Sequence, residues 1–137
     1  MKKFAIAAAL TVAGILSSSL HAQAAEARFT VPFNFVVSGK TLPAGTYRFT
    51  SQRAHLLEIQ NMNLKDSALT YISLPGSSNA PRGVIVFHRY GDRYFLREVD
   101  SSVALVRGEL PVSKAEKQAQ RLEASVASEN VTVALGN

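Results

Sequence analysis

From residue 29 onward apolar and polar positions alternate. Phe29, Val31, Phe33, Phe35 and Val37 take one set of alternate positions, and Thr30, Pro32, Asn34 and Val36 the other. That is the period of a strand with one buried, aromatic-rich face. Pro32 stands on the outward set and cannot donate to a ladder, so the strand is expected at a sheet edge or bulged there. Ser38-Gly39-Lys40 reads as a turn. Pro43-Ala44-Gly45 reads as a second, with proline presetting φ and glycine admitting a positive φ. Tyr47 and Phe49 share a face of the next strand. Leu57 and Ile59 alternate with Glu58 and Gln60 over 55–61, and another strand is expected over 68–74, reached through the hairpin connection MNLKDS. The breaker-rich PGSSNAPRG, 75–83, reads as a surface loop within one domain.

VIVFHRYGDRYFLREVD, 84–100, carries two apolar runs around Gly91-Asp92. Glycine first suits a type II′ turn, so the stretch is expected to be a β-hairpin. A two-residue loop would pair Tyr90 with Arg93, His88 with Phe95, Val86 with Arg97 and Val84 with Val99 on one face. Arg89 with Tyr94, Phe87 with Leu96 and Ile85 with Glu98 would share the other. Farther on, Pro111 is a stop, Ser113 a candidate N-cap, and Glu116 completes a capping box. Ala115, Ala119, Leu122 and Val126 fall at helical spacing, which predicts one amphipathic helix over about 114–127. NVTVAL gives a last short strand. These elements predict an all-β-dominated fold: a single antiparallel β-sandwich or partly open barrel of about six to eight strands with one C-terminal α-helix covering a face or edge.

The residues ahead of the first strand have a different character. Lys2 and Lys3 precede an apolar run from Phe4 to Leu16, and Ala22-Gln23-Ala24 follows. This is the three-part pattern of a secretory signal peptide over 1–24, cleaved between Ala24 and Ala25. The apolar run is shorter than the roughly 20 residues that span a bilayer, so no transmembrane segment is expected after cleavage. The mature chain, 25–137, is then a single β-rich domain, large enough to bury a proper core. It is expected to work in the periplasm or outside the cell. The chain has no cysteine, which excludes disulfides, thiol catalysis and thiolate metal sites and fits a bacterial envelope protein held by packing alone. Without Lys2 and Lys3, thirteen basic residues face ten acidic ones, a net +3. The basic residues are scattered, so nucleic acid is not an expected partner. An envelope protein, a polysaccharide or a small ligand is.

The candidate chemistry is sparse. The mature chain has two histidines, His55 and His88, with no recognised metal-ligand spacing, and nothing calls for a cofactor. No serine sits in a nucleophile elbow. Glu58, Asp66, Asp92, Glu98 and Asp100 are carboxylates of the type that glycoside hydrolysis uses, but solvated strand faces and turn tips account for them. The sharpest cluster is Arg89, Asp92, Arg93, Arg97 and Glu98 on the hairpin, and the candidate binding residues at its tip are His88, Arg89, Asp92, Arg93 and Tyr94. There, arginines offer paired donors to a carboxylate, phosphate or sugar. Cross-strand ion pairing and stacking of Arg89 on Tyr94 explain the same residues without a ligand. Phe29, Phe33, Phe35, Tyr47, Phe49, Tyr71, Phe87 and Phe95 suffice to line a pocket and are equally what a sandwich core needs.

VPFNFVVSGKTLPAGTY and VFHRYGDRYFLREV resemble the two signatures of a group of short secreted proteins of acidobacteria. The resemblance lies at 31–33, 39–47, 87–96 and 110–113, in order, behind a leader. It covers most of the mature chain and carries no activity, ligand or catalytic residue. Members of the group often have an aromatic where this chain has Asp100. Three functions are thus expected in descending order. The first is an exported non-enzymatic envelope protein, a small binding or interaction module. The second is a carrier of a small apolar ligand in an aromatic-lined interior. The third is a hydrolase using His88 with Asp92 or Asp100.

Overall fold

A computed structural model describes residues 26–53, 55–73, 82–102, 104, 106–123 and 128–136. The expected leader, 1–24, and Ala25 lie outside them, as do residue 74 of the expected strand, residues 75–81 of the loop and the predicted helical residues 124–127. In chain order the elements are β1 (Glu26–Val31), β2 (Phe35–Val37), β3 (Lys40–Leu42), β4 (Gly45–Arg53), β5 (Leu56–Asn61), β6 (Ser67–Tyr71), β7 (Val84–Tyr90), β8 (Arg93–Ser101), β9 (Val106–Glu109), α1 (Lys114–Leu122) and β10 (Glu129–Ala134).

The strands form two sheets packed face to face. Sheet A runs β1-β4-β5-β6, all antiparallel. Sheet B runs β10-β7-β8-β2-β3, with β9 also paired to β8. The fold is the expected β-sandwich with one C-terminal helix. Short strands raise the count above that read from the sequence, and β2 meets β8 in parallel at Val36 and Phe95. Backbone bonds tie the two sheets at both sides: Gly136 N–H donates to Arg28 O at 2.9 Å, and Ser73 and Glu109 exchange two bonds of 2.9 Å.

The alternation over 29–37 does not belong to one strand. β1 ends at Val31 in sheet A and β2 begins at Phe35 in sheet B. Pro32 has no N–H to continue the ladder, and the chain changes sheets there. Asn34 Oδ1 accepts from Ala44 N–H at 3.0 Å and fixes the crossing. Residues 38–40 are not all turn either. Ser38 and Gly39 alone have positive φ, +48° and +85°, and Val37 pairs with Lys40 across them, as a two-residue hairpin turn requires.

Between the sheets the inward residues of both meet. Phe29, Tyr47, Phe49, Leu57 and Ile59 come from sheet A, and Phe35, Ile85, Phe87, Leu96 and Val99 from sheet B. Phe35 contacts Tyr47 at 5.0 Å and Phe87 at 5.3 Å between ring centroids, both edge-on, the arrangement that aromatic quadrupoles favour. Each such side chain contributes about 1.5–3 kcal/mol through burial. The eight aromatics thus divide. Phe29, Phe35, Tyr47, Phe49 and Phe87 fill this space, Phe33 packs at its margin, Phe95 lies on the opposite face of sheet B, and Tyr71 is on the surface.

Sheet B is covered on both faces. Val36, Tyr90 and Phe95 on its outer side pack under Ala115 and Ala119 of α1, which is why β2 is buried at every position.

Candidate functional site

The hairpin of β7 and β8 forms as expected near its turn. Gly91 has φ +59° while Asp92 is not left-handed, as the II′ form requires. Tyr90 pairs with Arg93, Arg89 with Tyr94, His88 with Phe95 and Phe87 with Leu96. Beyond that the register departs from the simple reading. A bulge shifts it, so Val86 faces Glu98, Ile85 faces Val99 and Val84 faces Asp100. Arg97 is the extra residue. A bulge re-aims side chains, and here Arg97 is turned toward α1.

The five tip residues do not converge on one side. His88 and Arg93 are on the outer, helix-covered face, with the Arg93 guanidinium 5.1 Å over the Phe95 ring. Arg89 and Tyr94 are on the inner face. Tyr94 stacks on Phe33 at 3.8 Å and Arg89 lies 5.5 Å over Tyr94. Arg89 Nε donates to Gly91 O at 2.7 Å, and its Nη1 is 3.5 Å from Glu129 Oε2. Asp92 is exposed at the turn. The arginines are thus each engaged on separate faces.

Sequence reasoning assigned Glu116 only to the capping box, and half of that box forms. Ser113 Oγ accepts from Glu116 N–H at 3.1 Å. The Glu116 side chain, 2 % exposed, turns to the sheet instead. There it lies 3.5 Å from His88 Nδ1 and 3.6 Å from Arg97 Nη1. Tyr90 Oη donates to it at 3.3 Å and in turn accepts from Gln120 Nε2 at 2.9 Å. The acid that meets His88 is therefore Glu116. Asp100, named beside it as a candidate, is buried and lies 3.5 Å from Arg107 Nε. The helix is rotated accordingly: Glu116 and Ala119 are buried, while Leu122 is 74 % exposed. This polar layer pins α1 to sheet B. Glu116 lies buried beneath the helix, while His88 stays 30 % exposed at the edge of the layer.

A concavity lies elsewhere, on the outward face of sheet A. It is open to solvent, has a volume of about 550 Å³ and is lined by Glu26, Arg28, Arg48, Thr50, Gln52, Glu58 and Gln60. The register explains its shape. Arg28, Arg48 and Gln60 form one rung across β1, β4 and β5, and Glu26, Thr50 and Glu58 the next. Thr50 is short and buried among longer side chains, so the middle of the face is a dip. The long side chains hold one another. Arg28 Nη2 donates to Glu26 Oε1 at 3.1 Å, and Arg48 Nη1 is 3.5 Å from Glu26 Oε2. Arg48 also donates to Gln60, and Gln52 to Glu58. On the same face of the neighbouring strand β6, Leu69 stands beside Glu58 and Tyr71 beside Leu56, both exposed.

Sequence reading placed Glu58 on a solvated strand face and singled out none of the other six. Their signal was faint: long polar residues on alternate positions in three strands, adjacent only once the register is known. Among the described residues no group of three or more His, Asp or Glu side chains is placed to hold a metal ion. No helix among them is long and apolar enough to cross a membrane. Comparison with family models, curated proteins and solved structures finds no match to this chain.

Proposed function

We propose that the protein is an exported, non-enzymatic binding module of the bacterial envelope, acting in the periplasm or at the cell surface, and that the open face of sheet A is its binding surface. The leader pattern at 1–24 and the absence of cysteine support the location. The observation that carries the site is the 550 Å³ concavity over Thr50. Its size lies in the usual range of ligand sites, and it is built on paired strands rather than on loops, so the backbone beneath it is rigid. The interior rings in mutual contact favour this reading over a carrier. The acid that meets His88, Glu116, is 2 % exposed and already engaged by Arg97 and Tyr90, which favours the same reading over a hydrolase.

The test uses the protein exported from a bacterial host. Its denatured mass should correspond to a chain starting at Ala25, and a retained leader would overturn the export reading. Sedimentation with isolated cell-envelope material should then retain the wild type and an Arg89→Ala/Arg93→Ala variant. An Arg48→Ala/Gln60→Ala variant should be lost to the supernatant. The reverse pattern would move the site to the hairpin tip.

A further inference from the structure

The chemistry of the groove restricts its ligand. Two guanidinium groups and two carboxylates line it, so its formal charges cancel. An anion would meet Glu26 and Glu58, and a cation would meet Arg28 and Arg48. A neutral ligand avoids both penalties. It would also need to donate and accept along its length, because the lining offers donors from Arg28, Arg48, Gln52 and Gln60 and acceptors from Glu26, Glu58 and the amide oxygens. Each of these groups is a planar fork. Such forks engage two adjacent polar atoms at once, and neighbouring hydroxyls on a sugar ring present that spacing.

Two further features point the same way. The side chains are tied to one another by the contacts between Arg28 and Glu26, Arg48 and Gln60, and Gln52 and Glu58. Less ordering entropy is then lost on binding, which matters most for a flexible polyhydroxylated chain. The aromatic surface is also placed to be used. Tyr71 is 72 % exposed and Leu69 58 % exposed. Both lie on the same sheet face, one strand beyond β5 at a spacing of about 4.8 Å per strand. A pyranose has an apolar C–H face as well as its hydroxyl rim. An exposed ring beside a polar groove matches both sides of such a ligand.

Resting on the site assignment made above, we infer that the groove over Thr50 binds a neutral oligosaccharide. The chain lies across β1, β4 and β5, its hydroxyls meet the Arg, Gln and Glu forks, and a further sugar stacks on Tyr71.

The test is a titration of the exported protein, followed by NMR of its backbone and side-chain amides. The probes are neutral hexasaccharides of the glucose, mannose, xylose and N-acetylglucosamine series, with polygalacturonate and heparin as anionic controls. At least one neutral hexasaccharide should shift the Gln52 and Gln60 side-chain amides and the β4 and β5 backbone, with an affinity unmoved by added salt. Arg48→Ala should weaken that binding about tenfold, the effect of about 1.4 kcal/mol of lost hydrogen bonding. Tyr71→Ala should weaken the hexasaccharide by a similar factor and a disaccharide far less. Thr50→Arg, which fills the dip, should abolish binding in a variant shown to be folded. Silence from every neutral probe, or binding of the anionic controls alone with loss in salt, would overturn the ligand class. If envelope retention still depended on Arg48 and Gln60 in that case, the binding surface would stand and only its ligand would be wrong. If retention did not depend on them, the surface itself would fall first.

Discussion

Glu116→Ala would remove a carboxylate that is 2 % exposed and faces His88, Tyr90 and Arg97. Its backbone role would survive, because Ser113 Oγ holds the residue 116 N–H whatever the side chain. The loss therefore reads the polar layer alone. Arg97 is 17 % exposed, and its Nε and Nη1 make no hydrogen bond within the structure. The pair is a charge contact at 3.6 Å rather than an ideal fork. Removing one partner of a buried pair typically costs about 3–5 kcal/mol, since the other charge is left stranded. The long contacts place this site at the lower end, at about 3 kcal/mol, or roughly 10–15 °C in Tm for a domain of about a hundred residues. Urea unfolding followed by circular dichroism measures it. The companion is Glu116→Leu with Arg97→Met, which removes both charges and keeps the volume. It should fall within about 1 kcal/mol of the wild type. A single variant no less stable than the wild type would refute the reasoning, as would a double variant as unstable as the sum of the singles.

Burial raises the Tyr47 phenol above its usual 10.0; a hydrogen bond with Asn61 opposes the rise and the nearby Asp66 charge adds to it. The unfolded chain then gives up this proton first, so stability is present below pH 10 and is lost as pH rises through the raised native value. Tyr47→Phe should cost about 1 kcal/mol at neutral pH through the lost bond to Pro43 O and should flatten the alkaline limb of a stability profile. An unchanged slope above pH 10 would count against the buried phenol as its source. Gly108→Ala would set a Cβ 2.8 Å from Ile72 Cβ and 2.9 Å from Ser73 O, where β9 meets the end of sheet A. Chemical denaturation should register about 1–3 kcal/mol of overpacking, and a neutral effect would mean that the two sheets are not joined there.

What the sequence revealed and what it hid follow one rule. Period-two alternation reports a strand with one wet face, and it identified the strands of sheet A and the near half of the hairpin. It failed where both faces are dry or the strand is very short. β2 reads as the tail of β1 because Phe35 and Val37 continue the apolar parity of Phe29 and Val31, and only Pro32 marks the change of sheet. β3 and β9, at three and four residues, carry too few positions for a period. The helix was legible from Ser113, but its buried face was not. Leu122 looked like a core position, whereas the sheet beneath presents His88, Tyr90 and Arg97 and selects Glu116. A bulge at Arg97 cannot be read from composition, and without it Arg97 would pair with Val86. The groove was hidden for a related reason. Its seven residues come from three strands, and register alone makes neighbours of Arg28, Arg48 and Gln60.

The two sheets treat their outer faces differently, and the difference argues for where binding occurs. Sheet B's outer face is covered by α1, at the energetic cost of desolvating Glu116 and Arg97. Sheet A's outer face carries no helix among the described residues, and its long side chains are arranged against one another around a short threonine. Solubility alone would be served by scattered lysines and threonines. A dip floored by Thr50 with arginine, glutamate and glutamine on its rim is more specific than solubility requires. Thr50→Lys separates the two explanations. A face that serves only solubility should show no change in envelope retention once the variant is shown to be folded. A binding face should lose retention in the same folded variant.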